Sequence, residues 1–162
     1  MSESERSRPR AEIIETGDPR LKAASIIINA PAKLIFDLLA NPRSHKDFDG
    51  SATVQGLIKG PERLFLGARF GMKMKIGIPY RITNVVTEFE ENKLISWRHL
   101  GRWIWRYEIR EISANQSVVT ETFDARKTPF NFWLKSRKAY PFVQVSLAKT
   151  LVRLKLTFEA PL

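Results

Sequence analysis

Between Ile95 and Phe123 apolar and polar residues alternate through three successive runs, which predicts two β-hairpins in series. Leu94-Ile95-Ser96-Trp97-Arg98-His99 and Arg102 to Ile112 both have the period of two that marks a half-buried strand. His99-Leu100-Gly101 joins them with glycine third, as in a type I turn closed by a left-handed residue. That turn sets Trp97 opposite Trp103 and Ile95 opposite Trp105. A two-residue loop, Leu100-Gly101, would instead ask Leu100 for an unfavourable positive φ. The next turn, Ser113-Ala114-Asn115, puts Asn in the left-handed place. Ile112 then faces Gln116, Ile109 faces Val119, Tyr107 faces Glu121 and Trp105 faces Phe123.

The two turns agree on a single apolar face: Ile95, Trp97, Trp103, Trp105, Tyr107, Ile109, Val119, Glu121 and Phe123. The opposite face carries Ser96, Arg98, Arg102, Arg106, Glu108, Arg110, Thr120 and Thr122, with Ile104 and Val118 its large apolar members. A slip of one residue would invert both sets, so the register is expected to be well specified.

The rest of the chain falls into place around this block. Residues 1–20 are polar, charged and aperiodic, and are expected to form a flexible tail ahead of a single domain, 21–162. Lys22 to Asn29 is a β-branched run and reads as the first strand. Asn29-Ala30-Pro31 then opens a helix with Leu34, Ile35, Leu38 and Leu39 at helical spacing. Asn41-Pro42 stops it, and a second short helix follows to about Phe48. Ala52 to Ile58, Ala68 to Lys75 and Tyr80 to Phe89 are strands bounded by Gly or Pro, with Met72 and Met74 on the apolar side. The faces of Tyr80 to Phe89 stay open, because the Glu90 to Lys93 connection fits two or three loop residues. Val143, Leu147, Thr150, Leu151, Leu154 and Phe158 form a helical stripe, with Pro141 in the first turn and a partly helical lead-in from Thr128 to Tyr140.

The expected fold class is therefore α+β. About seven antiparallel strands curve around a long C-terminal helix, and two short helices follow the first strand. A sheet with one apolar face must cover it, and the terminal helix is the available cover. Such an arrangement leaves room for a cavity between sheet and helix.

Composition narrows the function classes. The chain has 162 residues and no cysteine, so no disulfide framework and no thiolate metal site is possible within it. No run approaches the length of a membrane span and no signal-like apolar segment opens the sequence, so a cytoplasmic protein is the default expectation. The net charge of +10 is spread over Arg6 to Arg10, Arg98 to Arg110, Lys135 to Lys138 and Lys149 to Lys155. None of these is a block of five or six like charges, so a solvated surface is preferred to specific RNA binding. His45, Asp47 and Asp49 lack a second histidine at ligand spacing, so no metal is expected, and no cofactor motif is present.

Ile27-Ile28-Asn29-Ala30-Pro31-Ala32-Lys33-Leu34-Ile35-Phe36-Asp37-Leu38-Leu39 is similar to the first strand and "I-x-A-P-x-x-V-F/W-x-x-L" helix of the SRPBCC or START-like superfamily. Val85-Val86-Thr87-Glu88-Phe89 with Leu94-Ile95-Ser96-Trp97-Arg98 resembles its central hairpin. Trp105-Arg106-Tyr107-Glu108-Ile109 with Val119-Thr120-Glu121-Thr122-Phe123-Asp124 resembles "W-x-Y-x-L…V-T-E-x-x-D". The likeness runs from about Lys22 to Phe158 and is strongest to the polyketide cyclase/dehydrase-type branch. It implies a helix-grip fold. The superfamily includes lipid and hormone binders, aromatase/cyclases and quinone-binding chaperones. It has no universal catalytic motif, so no catalytic residue carries over.

Trp97, Trp103, Trp105 and Tyr107 on one face would make a rigid, mainly apolar lining with a few polar tips. With His99 at the rim, Glu121 among them and Phe123 beside them, these are the candidate ligand-binding residues. A buried Glu121 next to Tyr107 would have a raised pKa and could act as acid or base, or orient a ligand hydroxyl. Three functions follow: a carrier or sensor of a small hydrophobic or lipid-like molecule, which is preferred; a cyclase or dehydratase using Glu121 and Tyr107; and a module whose basic surface binds RNA or an acidic partner.

Overall fold

Among the described residues eight antiparallel strands make one continuous sheet, accompanied by four helices. The structure is a computed structural model and describes residues 8–159. In chain order the elements are β1 (Glu12–Ile14), β2 (Leu21–Ile28), α1 (Ala32–Ala40), a 3₁₀ turn at Pro42–Ser44 and α2 (His45–Phe48). Then come β3 (Val54–Lys59), β4 (Arg69–Ile76), β5 (Ile78–Glu90), β6 (Leu94–Arg98), β7 (Ile104–Ser113) and β8 (Gln116–Asp124). The chain closes with α3 (Asn131–Ser136) and α4 (Ala139–Glu159). The strand order is β1-β2-β8-β7-β6-β5-β4-β3, so the first long strand is stitched to the last. The α+β architecture expected from the pattern is observed and is consistent with the helix grip that the resemblance implies, with an eighth strand added.

That eighth strand is β1. It lies in the stretch expected to be a flexible tail, where Glu12, Ile13 and Ile14 pair with Ser25, Ala24 and Ala23 at the sheet edge. Three residues are too few to show alternation, which is why the pattern does not reveal them. Residues 1–7 of that expected tail lie outside the described residues.

The helix α4 grips the sheet through the predicted stripe. Val143, Leu147, Thr150, Leu151 and Leu154 are buried, and the helix packs mainly on β2 with further contact to β8. Burying each of the three leucines contributes about 1.5–3 kcal/mol. Polar ties hold its flank: Gln144 Nε2 donates to the Ala23 carbonyl (3.2 Å) and Lys155 Nζ to that of Ile27 (2.7 Å). The shorter helix α1 buries Ile35, Phe36 and Leu39 over β6 and β7, its Phe36 edge-on to Phe89 of β5 at 5.2 Å. Leu34, expected on the same face, is exposed.

The β7–β8 register is the expected one over most of its length, with Tyr107 opposite Glu121, Ile109 opposite Val119 and Trp105 opposite Phe123. Near the turn it departs. Ile112 is an extra residue in a bulge, so Ser113 rather than Ile112 faces Gln116, and Asn115 does not take the left-handed conformation. In the β6–β7 hairpin Trp97 faces Trp105 and Ile95 faces Tyr107, two residues from the expected pairing. Here the left-handed residue is Arg102 (φ 65°), not Gly101. Gly101 serves a different need: a Cβ there would collide with the indole of Trp103, which folds back over it. Because the offset is two, the paired residues of β6 and β7 keep their predicted faces. The buried set is Ile95, Trp97, Tyr107, Ile109, Val119, Glu121 and Phe123, with Trp103 and Trp105 half-buried. Ser96, expected on the wet side, is fully buried, its hydroxyl paired with that of Thr87 at 2.9 Å.

Candidate functional site

A cavity of about 100 Å³ lies where α4 crosses the β3–β5 half of the sheet. Its apolar walls include Met72 and Met74 of β4, Ile82 of β5, Trp97 of β6 and Trp105 of β7. Tyr107 and Glu121 stand together on adjacent strands, Ser146 and Thr150 come from α4, and His45, Asp49, Ser51, Thr53 and Asn84 add further polar groups.

Glu121 is the chemically distinctive member. It is 2% exposed, and its Oε1 accepts a 2.7 Å hydrogen bond from the Tyr107 hydroxyl. Its other oxygen, Oε2, is buried without a hydrogen-bond partner among the described residues. Burial pushes the carboxyl well above the ordinary carboxylate range, and the negative charge of Asp49 pushes in the same direction. The Tyr107 hydrogen bond opposes both but is the weaker influence than burial. Burial likewise raises the Tyr107 phenol well above its ordinary value, with the neighbouring Glu121 adding to the effect.

His45 forms the other polar wall. Its ring stacks on Trp97 (centroids 4.7 Å apart, planes 20° apart), and Nε2 lies 2.8 Å from the Leu39 carbonyl. A carbonyl only accepts, so Nε2 carries the proton and Nδ1 of the neutral ring is left as an acceptor. Burial lowers its pKa to about 4, so the ring is uncharged at neutral pH. Burial thus favours the uncharged form of both Glu121 and His45, while the Asp49 carboxylate lies at the loop end of the lining.

Asp49 is organised as a turn residue. Its carboxylate accepts from the amides of Ser51 (3.1 Å), Thr53 (3.1 Å) and Val54 (3.1 Å) and from the Ser51 hydroxyl. Beside it, the Gly50 amide donates to Thr150 Oγ1 at 2.8 Å. A Cβ at Gly50 would lie 2.5 Å from the Ser146 carbonyl oxygen, so only glycine lets this loop reach the helix backbone. The loop thereby closes one end of the cavity. Backbone amides engage the Asp49 carboxylate, and among the described residues no group of three His, Asp or Glu is placed to hold a metal.

Of the seven residues expected to line a pocket, Trp97, Trp105, Tyr107 and Glu121 do so. The other three do not. His99 stacks on Trp103 (centroids 4.6 Å apart, planes 10° apart) in the β6–β7 loop, so neither reaches the cavity. Phe123 is core, packed between Trp105 and Tyr140. The displacement of His99 follows from the two-residue register offset, which pairs Arg98 with Ile104 and so places both His99 and Trp103 in the longer connecting loop. His45, Asn84, Asp49 and Ser146 were not candidates for this lining. Three of them sit in a loop, a four-residue helix and a bulged strand, where periodicity carries no information.

No family model matches the chain. It is 42% identical over 113 residues to the uncharacterized protein Rv0088 of Mycobacterium tuberculosis, a match covering 69% of this chain and 50% of that protein. The chain thus spans about half the length of the curated relatives it matches. Among solved structures, Ms6760 from Mycobacterium smegmatis superposes with a TM-score of 0.66 at 14% identity, covering 92% of this chain and 99% of that one. A protein from Arthrobacter aurescens superposes with a TM-score of 0.69 at 11% identity, covering 88% of this chain and 90% of that one. At such identities the likeness is one of fold, and the sheet-and-helix architecture is common to all three.

Proposed function

We propose that this protein binds a compact, uncharged, mainly apolar molecule that carries one hydrogen-bonding group, within the cavity between sheet and α4. The observation that carries the reading is Glu121: a buried carboxyl that lines the cavity with Oε2 unpartnered. An unsatisfied buried polar atom costs about 1–3 kcal/mol, which a ligand carbonyl or hydroxyl at that point would relieve. Trp97, Met72 and Met74 supply apolar surface around it.

Size selects the ligand class. A cavity of 100 Å³ is below the roughly 300–1,000 Å³ of sites for drug-sized ligands and nearer the roughly 150 Å³ that admits benzene. A single-ring phenol or cyclic ketone is the upper limit at this scale. A lipid-like occupant would require α4 to part from β3–β5. The reading agrees with membership of the SRPBCC or START-like superfamily, which the Ala30-Pro31 helix start and the helix-grip architecture support.

The test is titration of the protein with neutral single-ring phenols and ketones, followed by tryptophan emission. Trp97 and Trp105 line the cavity, so binding changes the emission, and Glu121→Gln shifts the affinity by up to about tenfold, the worth of one hydrogen bond. Unchanged emission across the series, together with native mass spectra showing only the bare chain, would overturn it.

A second reading has its own observation. Glu121 and Tyr107 reach one point, 2.7 Å apart, as an acid–base pair of a cyclase or dehydratase must. It requires that Glu121→Gln abolish turnover while binding survives. Equal loss of both would leave a binding protein.

A further inference from the structure

The segment from Ala125 to Phe158 contains three arginines and five lysines and no carboxylate, although the chain around it is mixed in sign. Eight of the net ten positive charges therefore reside on α3, α4 and the turns that lead into them. One corner of this region also exposes large apolar side chains. Phe132 of α3 and Leu100 of the β6–β7 loop are each 86% exposed, and Phe130, Trp133 and Phe142 are half exposed. Leu100 belongs to the same corner because Thr128 Oγ1 donates to the Gly101 carbonyl at 2.6 Å and so pins the loop beneath Phe130. The helix α3 is itself anchored, with Leu134 buried and Asn131 accepting from the Tyr140 hydroxyl at 2.7 Å. Its apolar tips are held outward on a fixed support.

We propose that this corner docks on an anionic lipid bilayer, with Phe132, Trp133 and Leu100 entering the headgroup–acyl boundary and Lys127, Lys135, Arg137 and Lys138 meeting the lipid phosphates. The charge complementarity is one-sided: no acidic residue lies in the segment to repel the surface. The Arg137 guanidinium sits 5.5 Å from the Trp133 ring centroid, which keeps ring and cation at one level, as an aromatic–basic interfacial pair requires. A monomeric protein rarely keeps so many large apolar side chains in water without a use for them. Single-stranded nucleic acid is a poorer match, because it uses aromatic faces for stacking along a groove. Leu100 has no such face, and Phe132 stands clear of any neighbour. The docking is independent of what the cavity holds.

The experiment is co-sedimentation of the full chain with vesicles of phosphatidylcholine alone and of equal parts phosphatidylcholine and phosphatidylglycerol. Binding to the second and not the first is expected, with a blue shift of tryptophan emission that Trp133→Ser removes. Phe132→Ser and Lys135→Gln/Lys138→Gln should each lower partitioning, the charge pair by about tenfold or more. These side chains are exposed, so circular dichroism should be unchanged in all variants. Failure to sediment with the anionic vesicles overturns the proposal. So does sedimentation that Phe132→Ser leaves untouched, tighter binding to a single-stranded oligonucleotide than to the vesicles, or a concentration-dependent dimer that Phe132→Ser abolishes.

Discussion

His45 and Glu121 line one small cavity yet link stability to pH in opposite directions. The His45 pKa falls to about 4 on folding, so the native state resists a proton that the unfolded chain accepts near pH 6.5. Its contribution is complete above that value and is lost as pH falls toward 4. Between about pH 7 and pH 5 this amounts to roughly 2 kcal/mol, at about 1.4 kcal/mol per unit. Urea denaturation should show this loss in the wild type and its absence in His45→Gln. Glu121 is the reverse case. Its raised pKa means the native state keeps a proton that the unfolded chain releases, so stability falls as pH rises from the ordinary carboxylate range through the native pKa. Glu121→Gln keeps the shape and an acceptor for Tyr107 but cannot titrate, so its stability relative to wild type should climb with pH over that window. Tyr107→Phe, which removes the remaining partner of the carboxyl, should cost about 1–3 kcal/mol and push the Glu121 pKa higher still. The inward placement of Glu121 and Tyr107 was legible in the sequence, because alternation alone assigns their face. His45 was not, because its orientation comes from the Leu39 carbonyl and the Trp97 ring, contacts that no local pattern encodes.

At the scale of elements, parity was legible and exact pairing was not. The β6–β7 hairpin still turns at Gly101, but its cross-strand partners are shifted by two, since other contacts decide the turn: Thr128 donates to the Gly101 carbonyl, and Trp103 covers the glycine to stack on His99. The faces of β5 stayed open for a related reason. A bulge between Val86 and Glu88 shifts its pairing with β6, so Asn84 and Val86 face inward while Phe89 is brought onto Phe36. Glycine substitutions separate the two kinds of constraint. Gly101→Ala meets a side chain, and moving the Trp103 ring off His99 relieves the clash, at about 1–2 kcal/mol. Gly50→Ala meets the backbone of α4 at Ser146 and Thr150, which cannot give way without lifting the loop that closes the cavity. That should cost about 3 kcal/mol, or roughly 6–12 °C in Tm for a chain of this size. Scanning calorimetry of both variants checks the order: equal losses would mean that the Asp49–Thr53 loop is not held against the helix as described.

In the whole molecule the sheet is unevenly covered. The helix α4 presses on β2 and β8, and α1 covers β6 and β7, whereas on the β3–β5 side the cavity intervenes between sheet and helix. The stripe of α4 announces the grip but not the gap, because a periodic pattern states which residues turn inward and not how closely the opposite wall approaches. Ser146 marks the difference. It is 4% exposed and lines the cavity, while its hydroxyl only bonds back to the Phe142 carbonyl of its own helix at 2.8 Å. That bond contributes little to the helix, so the residue can be exchanged without orphaning a partner in the sheet. Ser146→Leu should therefore fill part of the 100 Å³ void. Added apolar burial of the order of 1–2 kcal/mol offsets some strain, leaving the thermal transition within a few degrees of wild type. Leu147→Ala, one residue along on the gripping face, should instead cost about 2–5 kcal/mol, since Leu147 is fully buried in the core. If the cavity is the binding site, Ser146→Leu abolishes the ligand-induced change in tryptophan emission while folding remains intact, and Leu147→Ala weakens folding first. An unaltered ligand response in a well-folded Ser146→Leu protein would place the binding site elsewhere on the molecule.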